Sequence, residues 1–130
     1  MKFLIFFVLI TVVSVSAGYD VKNKEDLDRA RKECIQELKV PGGLVDEYRK
    51  KIYKFEGVTP CYIKCVFSRL GLFDDAIGFQ TNYYLAQIGK GEGVRDGVTG
   101  CFDNSGTDTC AWAYKGFVCF FKNGFLPDGF

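Results

Sequence analysis

Six cysteines, at positions 34, 61, 65, 101, 110 and 119, carry most of the chemical potential of this 130-residue chain. As thiolates they would be nucleophiles or metal ligands, and as pairs they would be crosslinks. The chain contains no histidine. A mixed zinc site therefore lacks its nitrogen ligands, and no two short Cys pairs face each other to make an all-sulfur one. Catalysis loses its commonest acid/base group and any Ser-His or Cys-His pair for the same reason. Asp74-Asp75 is the remaining candidate, but adjacent carboxylates before Gly78 read as turn formers rather than as an acid/base pair. The residues thus describe a protein that is not an enzyme and takes no cofactor and no metal.

The first seventeen residues read as an address. Lys2 precedes an apolar run from Phe3 to Val13, and Val15-Ser16-Ala17 is a small-residue site of the kind cleaved on secretion. That run is shorter than the ~20 residues of a membrane-spanning helix. We therefore expect residues 1–17 to be a secretory signal peptide, residues 18–130 to form one domain, and the product to be extracellular without stable membrane insertion. In an oxidising compartment an even cysteine count in so short a chain reads as three disulfides. Removing Lys2 leaves basic and acidic residues balanced, which gives no support to a nucleic acid as partner.

The elements that must position the cysteines are helical. Leu27, Ala30, Cys34, Ile35 and Leu38 recur at spacings of three and four, predicting a helix over 23–38 with Cys34 on its inner stripe. Pro41-Gly42-Gly43 breaks it. Leu44, Val45, Tyr48, Ile52 and Phe55 predict a second stripe, with Arg49, Lys50, Lys51 and Lys54 as its solvated face. Thr59, Pro60 and Gly71 read as N-cap, first-turn proline and left-handed stop of a third helix. After a turn that tucks Phe73 and Phe79 inward, a helix from Thr81 puts Tyr84, Leu85 and Ile88 inside. Val94, Val98 and Cys101 predict a weak helix, interrupted by Gly97 and Gly100. Thr107 or Asp108 can cap a last helix over 109–123, apolar on most sides and therefore expected to be buried.

Cys61 and Cys65 lie one helical turn apart with parallel Cα–Cβ vectors, so each should bond to a different element. Cys110 and Cys119, at about 100° per residue, lie on opposite sides of one helix and cannot bond each other there. Several connectivities remain open after these two exclusions.

The order Cys34, a long gap, Cys61-x-x-x-Cys65, a second long gap, then Cys101, Cys110 and Cys119 with equal spacing resembles the insect odorant-binding proteins over essentially the whole of residues 18–130. Cys61-Tyr62-Ile63-Lys64-Cys65, Gly71-Leu72-Phe73-Asp74 and Ala111-Trp112-Ala113-Tyr114 add to it, the last resembling fly members. The resemblance implies Cys34 paired with Cys65, Cys61 with Cys110 and Cys101 with Cys119. It implies an all-α fold, a compact six-helix disulfide-stapled shell around an apolar cavity. It also implies a secreted carrier that takes a small hydrophobic ligand, an odorant, pheromone or fatty acid-like molecule, through aqueous fluid; the alternative is a non-olfactory scavenger of the same fold that sequesters lipids or amines in saliva, haemolymph or another fluid. A chemoreceptor would be a possible partner, and the state a monomer or weak homodimer. The expected ligand-binding residues are Tyr84, Leu85, Ile88, Val98, Tyr114, Phe117, Phe120, Phe121, Leu126 and Phe130.

A cavity is costly, and crosslinks offset it. At ~24 cal/mol per Å3, a dry hollow of ~300 Å3 costs about 7 kcal/mol, comparable to a domain's stability. Three disulfides at ~3 to 4 kcal/mol each, though not additive, can compensate. The tail from Phe125 to Phe130 carries three large apolar residues, with Pro127 expected to prevent another regular turn. It is therefore expected to pack over the cavity mouth rather than lie exposed in water.

Overall fold

The structure is a computed structural model, described over residues 18–130; the signal peptide expected at 1–17 lies outside the described residues. Six α-helices follow in order: α1 Lys24–Glu37, α2 Gly42–Arg49, α3 Thr59–Arg69, α4 Thr81–Ile88, α5 Arg95–Thr99 and α6 Thr109–Asn123. A 3-10 turn, Glu92–Val94, leads into α5. Between α3 and α4 lies a two-strand antiparallel hairpin, β1 Phe73–Asp74 with β2 Gly78–Phe79, in which Phe73 faces Phe79. The Asp74 carboxylate accepts from the Ala76 amide at 2.7 Å, as a turn former does. Both phenylalanines point inward.

Helix α3 is the centre of the molecule. It packs most extensively against α6 and next against α1, and it buries Tyr62, Ile63, Cys65, Val66 and Phe67. Its end has a local cause. The Gly71 amide bonds to the Ser68 carbonyl, and the Leu72 amide to that of Phe67. With Gly71 at φ 77° this is the paired closure that a left-handed glycine permits. Its start differs from expectation. Thr59 is not the cap: it is the first helical residue, fully buried, and its hydroxyl shares a 2.7 Å hydrogen bond with the Tyr48 hydroxyl. A buried tyrosine on α2 competes successfully for that oxygen, since two hydroxyls left unbonded in the interior would each cost about 1–3 kcal/mol.

The cysteines pair Cys34 with Cys65, Cys61 with Cys110 and Cys101 with Cys119. The two cysteines of α3 thus fasten it to α1 on one side and to α6 on the other. Asp108 caps α6 by accepting from the Cys110 and Ala111 amides. Asn23 caps α1 reciprocally with Asp26.

Two expected stripes are corrected. Helix α2 ends at Arg49, and Lys51 takes a left-handed φ of 63°. Ile52 and Phe55 consequently leave the helical surface and are exposed, at 39% and 62%. Helix α6 is buried on one side only: Ala113, Gly116, Phe117 and Phe120 face the core, whereas Phe121 is 69% exposed. The hairpin explains part of this asymmetry. A Cβ on Gly116 would stand 2.5 Å from Phe79 Cε2, so the glycine lets β2 lie against α6.

Candidate functional site

An aromatic cluster fills the middle of the fold. The Phe67 and Phe79 rings meet edge to face at 5.0 Å, Tyr84 stacks on Phe120 at 4.3 Å, and Phe79 also contacts Phe120 at 5.0 Å. Against one flank of this cluster, between α6, the segment after α2 and the C-terminal tail, lies an apolar cavity of about 220 Å3. Its walls are Tyr53, Phe117, Val118, Phe121, Leu126 and Phe130, with Lys51 at its rim.

The tail forms one wall of this cavity. Phe130 stacks on Phe67 at 4.7 Å and lies 5.7 Å from Phe117. Pro127 is buried, and contrary to expectation it does not prevent a regular turn: the Phe130 amide closes one onto the Pro127 carbonyl at 3.2 Å. A proline cannot donate, but its carbonyl is free to accept. Farther up, the Tyr84 hydroxyl, at the end of a wholly buried ring, donates to the Phe125 carbonyl at 2.9 Å. The Phe125 ring lies where a Cβ on Gly97 would be, 2.8 Å from its Cζ. A helix weakened by a glycine thereby makes room for the tail.

Of the ten residues expected to meet a ligand, four come together here: Phe117, Phe121, Leu126 and Phe130. Phe121 is exposed because it stands at the mouth. Tyr84, Val98 and Phe120 are instead packed into the core, with no exposed surface. Leu85 is buried, and Ile88 is half-buried against the same core. Tyr114 lies beyond the cavity wall, where its hydroxyl donates to the Tyr53 carbonyl and its ring meets Phe55 at 5.1 Å. Apolar periodicity marks these positions as inward-facing, but it does not distinguish a packed interior from a cavity wall.

Three wall residues, Lys51, Tyr53 and Val118, were outside the expected set. The apolar spacing predicts Lys51 as a solvated lysine on a continuing helix. Its left-handed backbone turns the chain instead, and its Nζ donates to the Gly129 carbonyl at 3.2 Å. Tyr53 joins a stack with Tyr48 and Tyr62, at 5.3 and 6.4 Å between centroids, and meets Phe117 edge to face. Burial pushes the Tyr53 and Tyr62 phenols above the ordinary tyrosine pKa, and the nearby Arg31 guanidinium offsets part of that rise. Both remain neutral hydrogen-bonding groups at physiological pH. Among the described residues no cluster of Cys, Asp or Glu could hold a metal ion, and no helix is long and apolar enough to cross a membrane.

Comparison with known proteins bears on this arrangement. Odorant-binding protein 22 of Aedes aegypti is 39% identical over 124 residues, covering 92% of this chain and 90% of that protein. General odorant-binding protein 99a of Drosophila melanogaster is 40% identical over 114 residues, 82% of this chain and 80% of its own. The crystal structure of odorant-binding protein 22a from Anopheles gambiae superposes with a TM-score of 0.61 at 21% identity, covering 72% of this chain and 95% of that one. That likeness concerns the fold alone. Residues 16–123 match the PBP/GOBP family. With its cysteine order, its crosslinks and these relatives in agreement, the chain belongs to the PBP/GOBP family.

Proposed function

We propose that the protein is a secreted carrier that holds one small hydrophobic molecule and transports it through aqueous fluid. The observation that carries this reading is the apolar cavity beside α6, walled by Tyr53, Phe117, Val118, Phe121, Leu126 and Phe130. Its volume, about 220 Å3, is just below the usual ~300–1,000 Å3 of ligand pockets. One of its walls, Leu126 and Phe130, belongs to the segment after α6 and not to a helix, so a modest displacement of Phe130 would enlarge it. The ligand class follows from the walls: aromatic and aliphatic surface rewards apolar area at ~25 cal/mol per Å2. Membership of a family whose relatives are named odorant-binding proteins supports the same reading.

Displacement of an apolar fluorescent probe by fatty acids, long-chain alcohols and aromatic odorants tests it, together with mass spectrometry of the lipid extract of purified protein. Saturable displacement with one site per chain is expected from at least one of these classes. Failure of all three to displace a bound probe would overturn the carrier reading.

A further inference from the structure

The three crosslinks differ in where their sulfurs sit along the helices. Cys61 is the third residue of α3 and Cys110 the second of α6, so their bond joins the first turns of two helices. Cys34 lies in the last turn of α1, and its partner Cys65 in the middle of α3. Cys101 follows the end of α5, and Cys119 lies toward the end of α6. The partial positive charge at a helix start favours a thiolate, and the partial negative charge at a helix end opposes one. Helix α3 has no side-chain cap and no acid in its first turn, which leaves that charge uncompensated at Cys61. At the start of α6 the Asp108 carboxylate already accepts from the Cys110 and Ala111 amides. Cys61 is therefore the better leaving group of the pair.

A small molecule can reach this bond. Both Cys61 and Cys110 line an open groove of about 460 Å3, together with Lys64, Ser68 and Asp75. Lys64 Nζ donates to the hydroxyl of Thr109, the neighbour of Cys110, at 3.2 Å and pairs with the exposed Asp75 carboxylate at 2.9 Å. Cys65 reaches the same groove, but its partner Cys34 is wholly buried. The Glu37 carboxylate also stands 4.0 Å from Cys65 Sγ, with its other oxygen taken by Arg69 at 2.6 Å. A carboxylate in that place repels an incoming thiolate and disfavours a departing one. Two crosslinks thus share the groove, and the chemistry around them separates them.

We propose that Cys61–Cys110 is a thiol-exchange site that takes low-molecular-weight thiols of the glutathione type. The incoming thiolate bonds to Cys110 Sγ, the bond between the two cysteines breaks, and its electron pair leaves with Cys61 as a thiolate. A second small thiolate attacks the small-molecule sulfur of the mixed disulfide and releases Cys110 as a thiolate. One protein disulfide is reduced, and two small thiols are oxidised to their own disulfide. The preference is one of rate in the folded protein, where access and leaving group decide. Cys34–Cys65 and Cys101–Cys119 remain in place. Resting on the carrier reading, the consequence is a looser cavity wall, since α6 carries Phe117, Val118 and Phe121 and its start is no longer fastened to α3.

The test incubates the protein with glutathione at neutral pH, blocks free thiols with iodoacetamide at intervals and maps the peptides. Label or glutathione is expected at Cys61 and Cys110 about tenfold sooner than at the remaining cysteines. Helical circular dichroism should be retained, and the rate should rise in proportion to glutathione. Earlier reduction of either other crosslink overturns the exchange site. So does a rate that levels off with glutathione, because opening of the fold is then the limiting step. The map involves no ligand, so it decides the exchange site independently of the carrier reading. The selectively reduced protein should release a bound neutral fluorescent probe several-fold faster than the intact one, and equal release overturns the looser wall. A probe that binds neither form overturns the carrier reading alone.

Discussion

Gly116 shows how much a single hydrogen atom decides in this core. An alanine at an interior helical position ordinarily gains ~1 kcal/mol over glycine. Here its Cβ would lie 2.5 Å from Phe79, whose ring is hemmed in by Phe67, Phe73 and Phe120, each at 5.0 Å. Overpacking of this kind costs about 1–3 kcal/mol. Gly116→Ala should therefore lower the Tm by several degrees, read by thermal unfolding of the ligand-free protein, and a raised Tm would show that the hairpin is free to move. Nothing in the sequence around position 116 signals this, because the clash is with a residue nearly forty positions away. Lys51 illustrates the same limit. Its left-handed backbone is uncommon for a residue with a side chain, so the apolar spacing predicts a stripe running on through Ile52 and Phe55 that the backbone does not follow. Asp108 and Gly71, by contrast, act through the nearest turn of backbone, and their roles were legible in place.

Helix α3 is held by two crosslinks to different neighbours, and the three crosslinks of the molecule are not equivalent. The Cys61–Cys110 bond spans 49 positions and ties α3 to α6, the most extensive helix pair of the core. The Cys101–Cys119 bond spans 18 and fastens the chain just past the five-residue α5 to α6. Loss of the first, as Cys61→Ala with Cys110→Ala, should cost about 2–5 kcal/mol in chemical denaturation. Removal of the second should cost less, since its loop is shorter and the element it secures is small. An equal or inverted order would mean that α5 contributes more to the fold than its length suggests. The pairing itself followed from the family resemblance, whereas helix geometry alone had excluded only two partners. The helices were readable because their periodicity is long. The division between packed core and cavity wall was not, because Tyr84, Val98 and Phe120 repeat at the same spacing as true wall residues.

The whole molecule responds to pH through carboxylates, since it has no histidine. A hydrogen bond from Lys64 lowers the Asp75 pKa, one from Arg95 lowers that of Glu92, and bonds from Ser105 lower that of Asp103. A depressed folded-state value contributes stability above the unfolded carboxylate pKa, about 4, and that stability is lost as pH falls through the depressed value. Each of the three is exposed, so each effect is small. Tm at pH 6 should accordingly match that at pH 7 and fall only near pH 3. Bound ligand should be retained at pH 6 and released only in more acid solution. A sharp binding midpoint between pH 6 and 7 would require a titrating group that ordinary carboxylates do not supply.

The location of the ligand can be read directly from the phenylalanine rings. In a protein labelled with 13C at phenylalanine, titration with dodecanoate should shift the ring resonances of Phe117, Phe121 and Phe130, which line the cavity beside α6. Phe73, on strand β1 and edge to face with Phe79, does not line that cavity and should remain where it is. Saturable shifts confined to Phe117, Phe121 and Phe130 are the expected result. Saturable binding that leaves those three rings unmoved would contradict the assignment of this cavity as the ligand site.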